Sequence, residues 1–272
     1  EGVSPNFITF LSSLKATSTV GVEAKSLEMH TDMEKMGLLE ESLIGNILVS
    51  MYVKSGYLAI AQEMFQKLAI KDVVSWTALI TGLAEQGKGE EALQCFEQMH
   101  VKGILPNTAT LLGILKACGI VGDSNMCHEI HAEIERRSLL ETDMLVGNTL
   151  VDVYAKCGDV ENASLLFWSL PRKDLTTWNV MVFAFAKEGL LLDAYSLVGL
   201  MKENGFEPDE VTLSTLLKAC TSLPNLEHGR FGHLLLVESG MILNAFTCSI
   251  LLEMYVKCGS YDDAWKVFEG MG

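Results

Sequence analysis

Three stretches of this chain repeat one another: SLIGNILVSMYVKSG, DMLVGNTLVDVYAKCG and AFTCSILLEMYVKCG place Asn46, Asn148 and Ser249 in equivalent positions, 102 and 101 residues apart. Lys15, Lys116 and Lys218 follow at 101 and 102, as do His30, His131 and His233. Self-similarity at a fixed period restricts the fold more than any local propensity, because one unit that cannot bury its own apolar face must stack on copies of itself.

Each unit divides further. WTALITGLAEQGKGEEALQCFEQM (Trp76 to Met99) and WNVMVFAFAKEGLLLDAYSLVGLM (Trp178 to Met201) share a pattern with the shorter segments. An apolar stretch runs into Gly, then come an acidic residue or two, Ala, and an aromatic or Leu position, often with Met. Two helices per subunit explain this. A first helix from Val74 to Gln86 carries apolar residues at three-to-four spacing, and Gly87 to Gly89 breaks it before Glu90 opens the second. Gly103 suits a helix C-terminus, and Pro106 stops continuation. Asp159 and Ser260 are N-cap candidates, and Asp263, three residues beyond Ser260, resembles a capping box. The expectation is fifteen or sixteen antiparallel helices and no strands.

Composition narrows the class. Of the 272 residues 49% are hydrophobic, which suffices for a continuous core, yet the longest clean apolar run, Val180 to Ala186, has seven residues against the roughly 18 a bilayer crossing needs. Seven cysteines form an odd set without a CxxC pair, so neither a disulfide framework nor a zinc site is indicated and a reducing compartment fits. Nothing near Glu1 looks like a signal or transit peptide, so the leader has been removed or the chain is a fragment. The net charge of −15 runs against phosphate binding and taken alone points to a protein partner, although a base-reading groove can be neutral or basic beneath acidic outer helices.

Segments KDVVSWTALI, KGILPN, LLKAC, MYVKCG and WKVF resemble the consensus of the pentatricopeptide-repeat proteins of plant organelles. Subunit lengths alternate like that family's long, short and standard motifs: 7–41 (long), 42–72 (short), 73–107 (standard), 108–143 (long), 144–174 (short), 175–209 (standard) and 210–244 (long). Residues 1–6 resemble the tail of a motif and 245–272 a short motif cut three residues early, so the chain reads as a window of a longer array. The resemblance implies an all-α, right-handed superhelical solenoid of antiparallel helix hairpins, first helices lining the concave side. It implies single-stranded RNA as partner, read one base per motif, and organellar editing-factor accessory proteins docking on the long motifs. A mitochondrial or chloroplast location follows from the same resemblance, and no cofactor.

In the family, the fifth and last residues of a motif together select a base and the second helps sandwich it. Carried over, Asn46 with Asp72, Asn148 with Asp174 and Asn179 with Asp209 read uracil, and Thr77 with Asn107 reads adenine. Ser214 with Asn244 favours adenine weakly. The chemistry is sensible: Asp accepts from the ring N–H of uracil or guanine, whereas Asn can donate to the bare ring nitrogen of adenine or cytosine. Leu112 cannot hydrogen-bond a base edge, and Leu11 with Glu41 fails the pattern, which leaves 5′-UANUU-3′ as the core. The sandwiching residues are Leu43, Val74, Leu145 and Thr176, the last a departure from the apolar norm.

Other recurrent residues read as packing: the three histidines, Cys118, Cys157, Cys220 and Cys258 as small apolar filler, and Trp76, Trp178, Phe65, Phe167 and Phe268 as core aromatics. The acidic residues read as a solvated outer face. No H-x-E with a P-C-x-x-C partner, phosphate loop, G-x-S-x-G or dinucleotide fingerprint is present, so this window is read as non-enzymatic. The alternating motif lengths point to targeting for cytidine-to-uridine editing. A scaffold of the tetratricopeptide type is the competing class; it fits the acidic charge but keeps a 34-residue period.

Overall fold

A computed structural model describes residues 42–222, 224–240 and 244–270, without the side chains of Ser42 and Leu43. The expectations for the motif 7–41, for Lys15, His30 and Leu11 with Glu41, and for the side chain of Leu43, lie outside the described residues.

Among the described residues there are fifteen helices and no strand. They fall into two compact units, Glu1–Ile134 and Glu135–Gly272. The first holds α1 (Ser42–Lys54), α2 (Leu58–Lys67), α3 (Val73–Glu85), α4 (Gly89–Val101), α5 (Thr108–Val121) and nearly all of α6 (Ser124–Arg136). The second holds α7 (Leu139–Thr142), α8 (Met144–Lys156), α9 (Val160–Ser169), α10 (Leu175–Lys187), α11 (Leu191–Glu203), α12 (Glu210–Ser222), α13 (Leu226–Glu238), α14 (Ala245–Lys257) and α15 (Tyr261–Glu269).

The hairpins form because glycine ends the first helix where a left-handed residue is required. Gly56, Gly87, Gly158, Gly189 and Gly259 all have φ between 73° and 83°, the region in which a Cβ is strained. In the first unit α1 packs on α2 and α3, and α3 on α4 and α5; in the second α8, α10, α12 and α14 stack in a row, each against its own second helix. Each motif thus completes its core from the next. The ring of Phe65 meets Trp76 edge-on at 4.6 Å, and Phe167 meets Trp178 at 4.9 Å, all four buried. Such pairs contribute about 0.5–1.5 kcal/mol beyond the area they bury.

Several sequence expectations need correction. The first helix proposed for 74–86 runs one residue earlier, Val73–Glu85, because Asp72 caps it. α4 begins at Gly89, inside the proposed break. The one-turn α7 was not foreseen; it fills the extra length of the motif 108–143 and follows Ser138, a non-glycine residue at φ 52°. Ser260 makes no capping bond to the backbone: its hydroxyl donates to Asp263, whose carboxylate also takes Arg230 and Lys266. Phe268 is 56% exposed, since the indole it meets is Trp265 of its own helix, at 5.7 Å and itself exposed, whereas Phe65 is met by the buried Trp76 of the next motif. Cys118 and Cys220 are buried filler, but Cys157 and Cys258 are half-buried, because they stand at the C-caps of α8 and α14 where the chain turns outward.

Candidate nucleic-acid interface

The base-reading candidates belong to first helices and to the residue immediately before the next one. That second placement has a structural cause. Asp72 caps α3, accepting the backbone N–H groups of Val74 and Ser75 at 3.0 Å. Asp174 caps α10 and Asn107 caps α5, each in a capping box with a threonine three residues on, Thr177 and Thr110. Asp209 takes the Thr212 N–H at 2.9 Å at the start of α12, and Asn244 caps α14 with Thr247. The last residue of every described motif boundary from 72 onward is therefore a helix N-cap, Asp143 included.

Lysine completes the turn before two of these caps. Lys71 donates to the carbonyls of Gln66 and Leu68 at the end of α2, and Lys173 to that of Leu170 at the end of α9. Each ammonium also lies over a phenylalanine, Lys71 5.5 Å from Phe65 and Lys173 5.2 Å from Phe167. The Lys-Asp dipeptides in KDVVSW and KDLTTW thus close one helix and open the next.

The cap fixes what the side chain can offer outward. An Asn at this place turns its carbonyl oxygen to the helix N–H: Asn107 Oδ1 accepts from Thr110 N at 2.9 Å and from the Thr110 hydroxyl at 3.0 Å. Its amide is then aimed away as a donor. An Asp offers only acceptors, whichever oxygen caps.

In all three Asn/Asp motifs the fifth residue reaches the cap of its own motif. Asn46 Nδ2 donates to Asp72 Oδ2 at 2.8 Å, Asn148 Nδ2 to both oxygens of Asp174 at 3.1 Å, and Asn179 Nδ2 to both oxygens of Asp209 at 3.1 and 3.2 Å. Thr77 meets its partner indirectly: its hydroxyl lies 2.6 Å from that of Thr110, which bonds Asn107. Ser214 and Asn244 are not linked. Ser214 is buried and donates to the carbonyl of Val211, while the amide of Asn244 goes to Glu210 at 2.9 Å.

Asn46 and Asn148 are buried, and Thr77, Asn179, Asp72, Asp174 and Asp209 are half-buried. Burial by itself pushes the Asp174 carboxyl up, but hydrogen bonds from the Thr177 N–H and hydroxyl, the Asn148 amide and its own N–H outweigh it and hold the group below the usual carboxylate value. The second residues are open: Val74 is 53% and Leu145 60% exposed, and Thr176 is exposed. Val211 and Phe246, at the same motif position, are exposed too and were missed, although the motif boundaries alone would have given them. Also missed were Thr110, Thr177 and Thr212, whose hydroxyls join the fifth residue to the cap.

Among the described residues no group of three His, Cys, Asp or Glu could hold a metal ion, and no helix is long and apolar enough to cross a membrane.

Stacked helical hairpins, whose first helices within each unit carry polar side chains tied to the next cap, define a helical-repeat protein. The profile of the PPR repeat family matches residues 71–119 and 173–222, and that of the PPR repeat matches 46–73, 148–175 and 246–272. The chain belongs to the pentatricopeptide-repeat family. It is 33% identical, over 98% of its length, to a chloroplastic pentatricopeptide repeat-containing protein of Arabidopsis thaliana, of which it covers 43%. With a mitochondrial member from the same plant it shares 33% identity over 93% of its length, covering 25% of that protein. It thus spans less than half of these relatives. The crystal structure of the maize pentatricopeptide repeat protein PPR10 shares the fold, with a TM-score of 0.55 at 20% identity over 98% of this chain and 44% of that one.

Proposed function

We propose that this chain binds single-stranded RNA sequence-specifically, one base per motif, with 5′-UANUU-3′ as its core. The observation that carries the reading is the bonding of the fifth residue to the terminal carboxylate in all three Asn/Asp motifs, with the second residue exposed on the same helix in the two where it is described, Leu145 and Thr176. Asp72, Asp174 and Asp209 keep acceptor capacity for the ring N–H of uracil, and Asn107 keeps a donor for the bare nitrogen of adenine. Val74 and Leu145 supply apolar contact to the base faces. Alternating long, short and standard motifs make it the targeting array of an organellar factor for cytidine-to-uridine editing, acting in chloroplasts or mitochondria as its relatives' names indicate. Accessory editing proteins would dock on the long motifs, where Leu112 leaves base reading idle.

The net charge of −15 favours a second reading, a scaffold for protein partners. Titrating matched and scrambled oligonucleotides at several salt concentrations separates the two. Preference for UANUU supports base reading; equal or absent binding refutes it and leaves the scaffold.

A further inference from the structure

Beneath the reading pairs runs a third side chain, contributed by the following motif. Thr177 Oγ1 lies 2.6 Å from Asn148 Oδ1 and 2.8 Å from Asp174 Oδ1, and it accepts the Asp174 backbone N–H at 3.1 Å. Thr212 repeats this arrangement, its hydroxyl donating to Asn179 Oδ1 and lying 2.9 Å from Asp209 Oδ1. Thr110 is the link through which Thr77 reaches Asn107. All three threonines are buried at 0–1% exposure.

The first reading pair differs. Its third member is Ser75, whose hydroxyl donates to the Asp72 carbonyl at 2.9 Å instead. Asn46 is 6% exposed, and its Oδ1 is buried with no hydrogen-bond partner. Serine lacks the γ-methyl that restricts the χ1 of threonine, so its hydroxyl is free to turn back onto its own helix turn.

We propose that the third residue of each following motif is a positioning residue for base selection, and that Ser75 leaves the pair Asn46–Asp72 unclamped. The inference rests on the base-reading proposed above. A carboxylate only accepts, so the amide of the asparagine must face it, and the asparagine carbonyl needs a donor on its other side. Thr177 and Thr212 supply that donor and hold the amide plane. At Asn46 no donor holds the buried carbonyl in place, so the amide plane is free to turn, and once turned it offers a base an acceptor for the exocyclic amine that cytosine carries at its 4-position and uracil lacks. The first base of the core is therefore read as a pyrimidine with weak preference for uracil, whereas the fourth is read as uracil.

Binding of the whole chain to oligonucleotides carrying uracil or cytosine at the first, fourth or fifth base tests this. The expected uracil-to-cytosine ratio is several-fold smaller at the first base than at the fourth. Ser75→Thr should raise the first-base ratio, and Thr177→Val should lower the fourth-base ratio while the fifth, served by Thr212, stays put. Ratios at the first and fourth bases that do not respond, with the fifth still discriminating, overturn the proposal. Side-chain amide exchange of the three asparagines in the free protein gives a readout independent of RNA. Faster exchange at Asn46 than at Asn148 and Asn179, slowed by Ser75→Thr, supports the clamp, and equal rates overturn it. Loss of discrimination at every base in the wild type, with amide exchange as expected, refutes the base reading and not the clamp.

Discussion

Asn179 spends its amide on Asp209 and its carbonyl on Thr212, so exchanging it for threonine removes a donor and frees volume without unseating the cap. With Asp209 in place, Asn179→Thr should move the preference at the fifth base from uracil toward guanine, whose N1–H the same carboxylate can accept. Base contacts of this kind discriminate by about 1–3 kcal/mol, and the polar Thr176 beside it puts the expectation at the low end. Binding to four oligonucleotides differing only at that base checks the shift, with equal helicity required by circular dichroism. At Asp174 the helix cap and the proposed reading meet. Asp174→Ala should cost about 0.5–2 kcal/mol in urea denaturation, the range of a lost N-cap. Because its carboxyl lies below the ordinary 3.8 in the folded chain, its stabilisation is fully present above that value and is lost as pH falls through the folded one. Acid titration of wild type and Asp174→Asn should therefore converge below about pH 3.8; a constant gap would reject the linkage.

Between helices, close approach is set by glycine, and not all glycines serve alike. A Cβ on Gly89 would meet the Ala117 carbonyl oxygen at 2.9 Å and a Val121 methyl at 2.7 Å, where backbone cannot yield. Gly199 lies in the interior of α11 with nothing within 4 Å. Gly89→Ala should destabilise by about 1–3 kcal/mol, as overpacking does, and Gly199→Ala should stabilise by up to about 1 kcal/mol through helix propensity. Opposite shifts of the denaturation midpoint are the expected result. This is also the scale at which the sequence was most legible. The hairpins announced themselves through periodic apolar residues and glycine breaks, and the caps Asp159 and Gly103 fell where composition put them. α7 did not, because four residues carry no period. Nor did the exposure of Phe268, since its motif position is that of buried Phe65 and Phe167 and only its neighbours differ. The polar row was legible as positions through the family pattern. Its bonding was not, because whether Ser75 turns to Asn46 or to its own helix depends on a rotamer that no spacing records.

For the whole molecule, charge and function pull in opposite directions. A chain of net charge −15 cannot make many phosphate contacts, and each one steepens the salt slope on single strands by roughly 0.7. Affinity for UANUU should therefore decline shallowly with salt for a nucleic-acid binder, the free energy coming from stacking and base edges. A steep slope in the same titration would show that phosphates dominate and that the acidic surface lies well away from the RNA.

On the proposed base reading the terminal residue of a motif does two jobs, and this narrows the alphabet evolution can write there. A letter that reads a base there would also cap a helix with its own side chain, which Asp, Asn, Ser and Thr do best. Asp and Asn are the pair that differ in hydrogen-bond polarity toward a base at nearly constant shape. A drift from Asp174 to Asn would change the message while leaving the chain folded, but a drift to Leu or Lys would erase the letter and loosen α10 together. Retargeting such an array thus proceeds by synonymous folding, one cap exchanged for another.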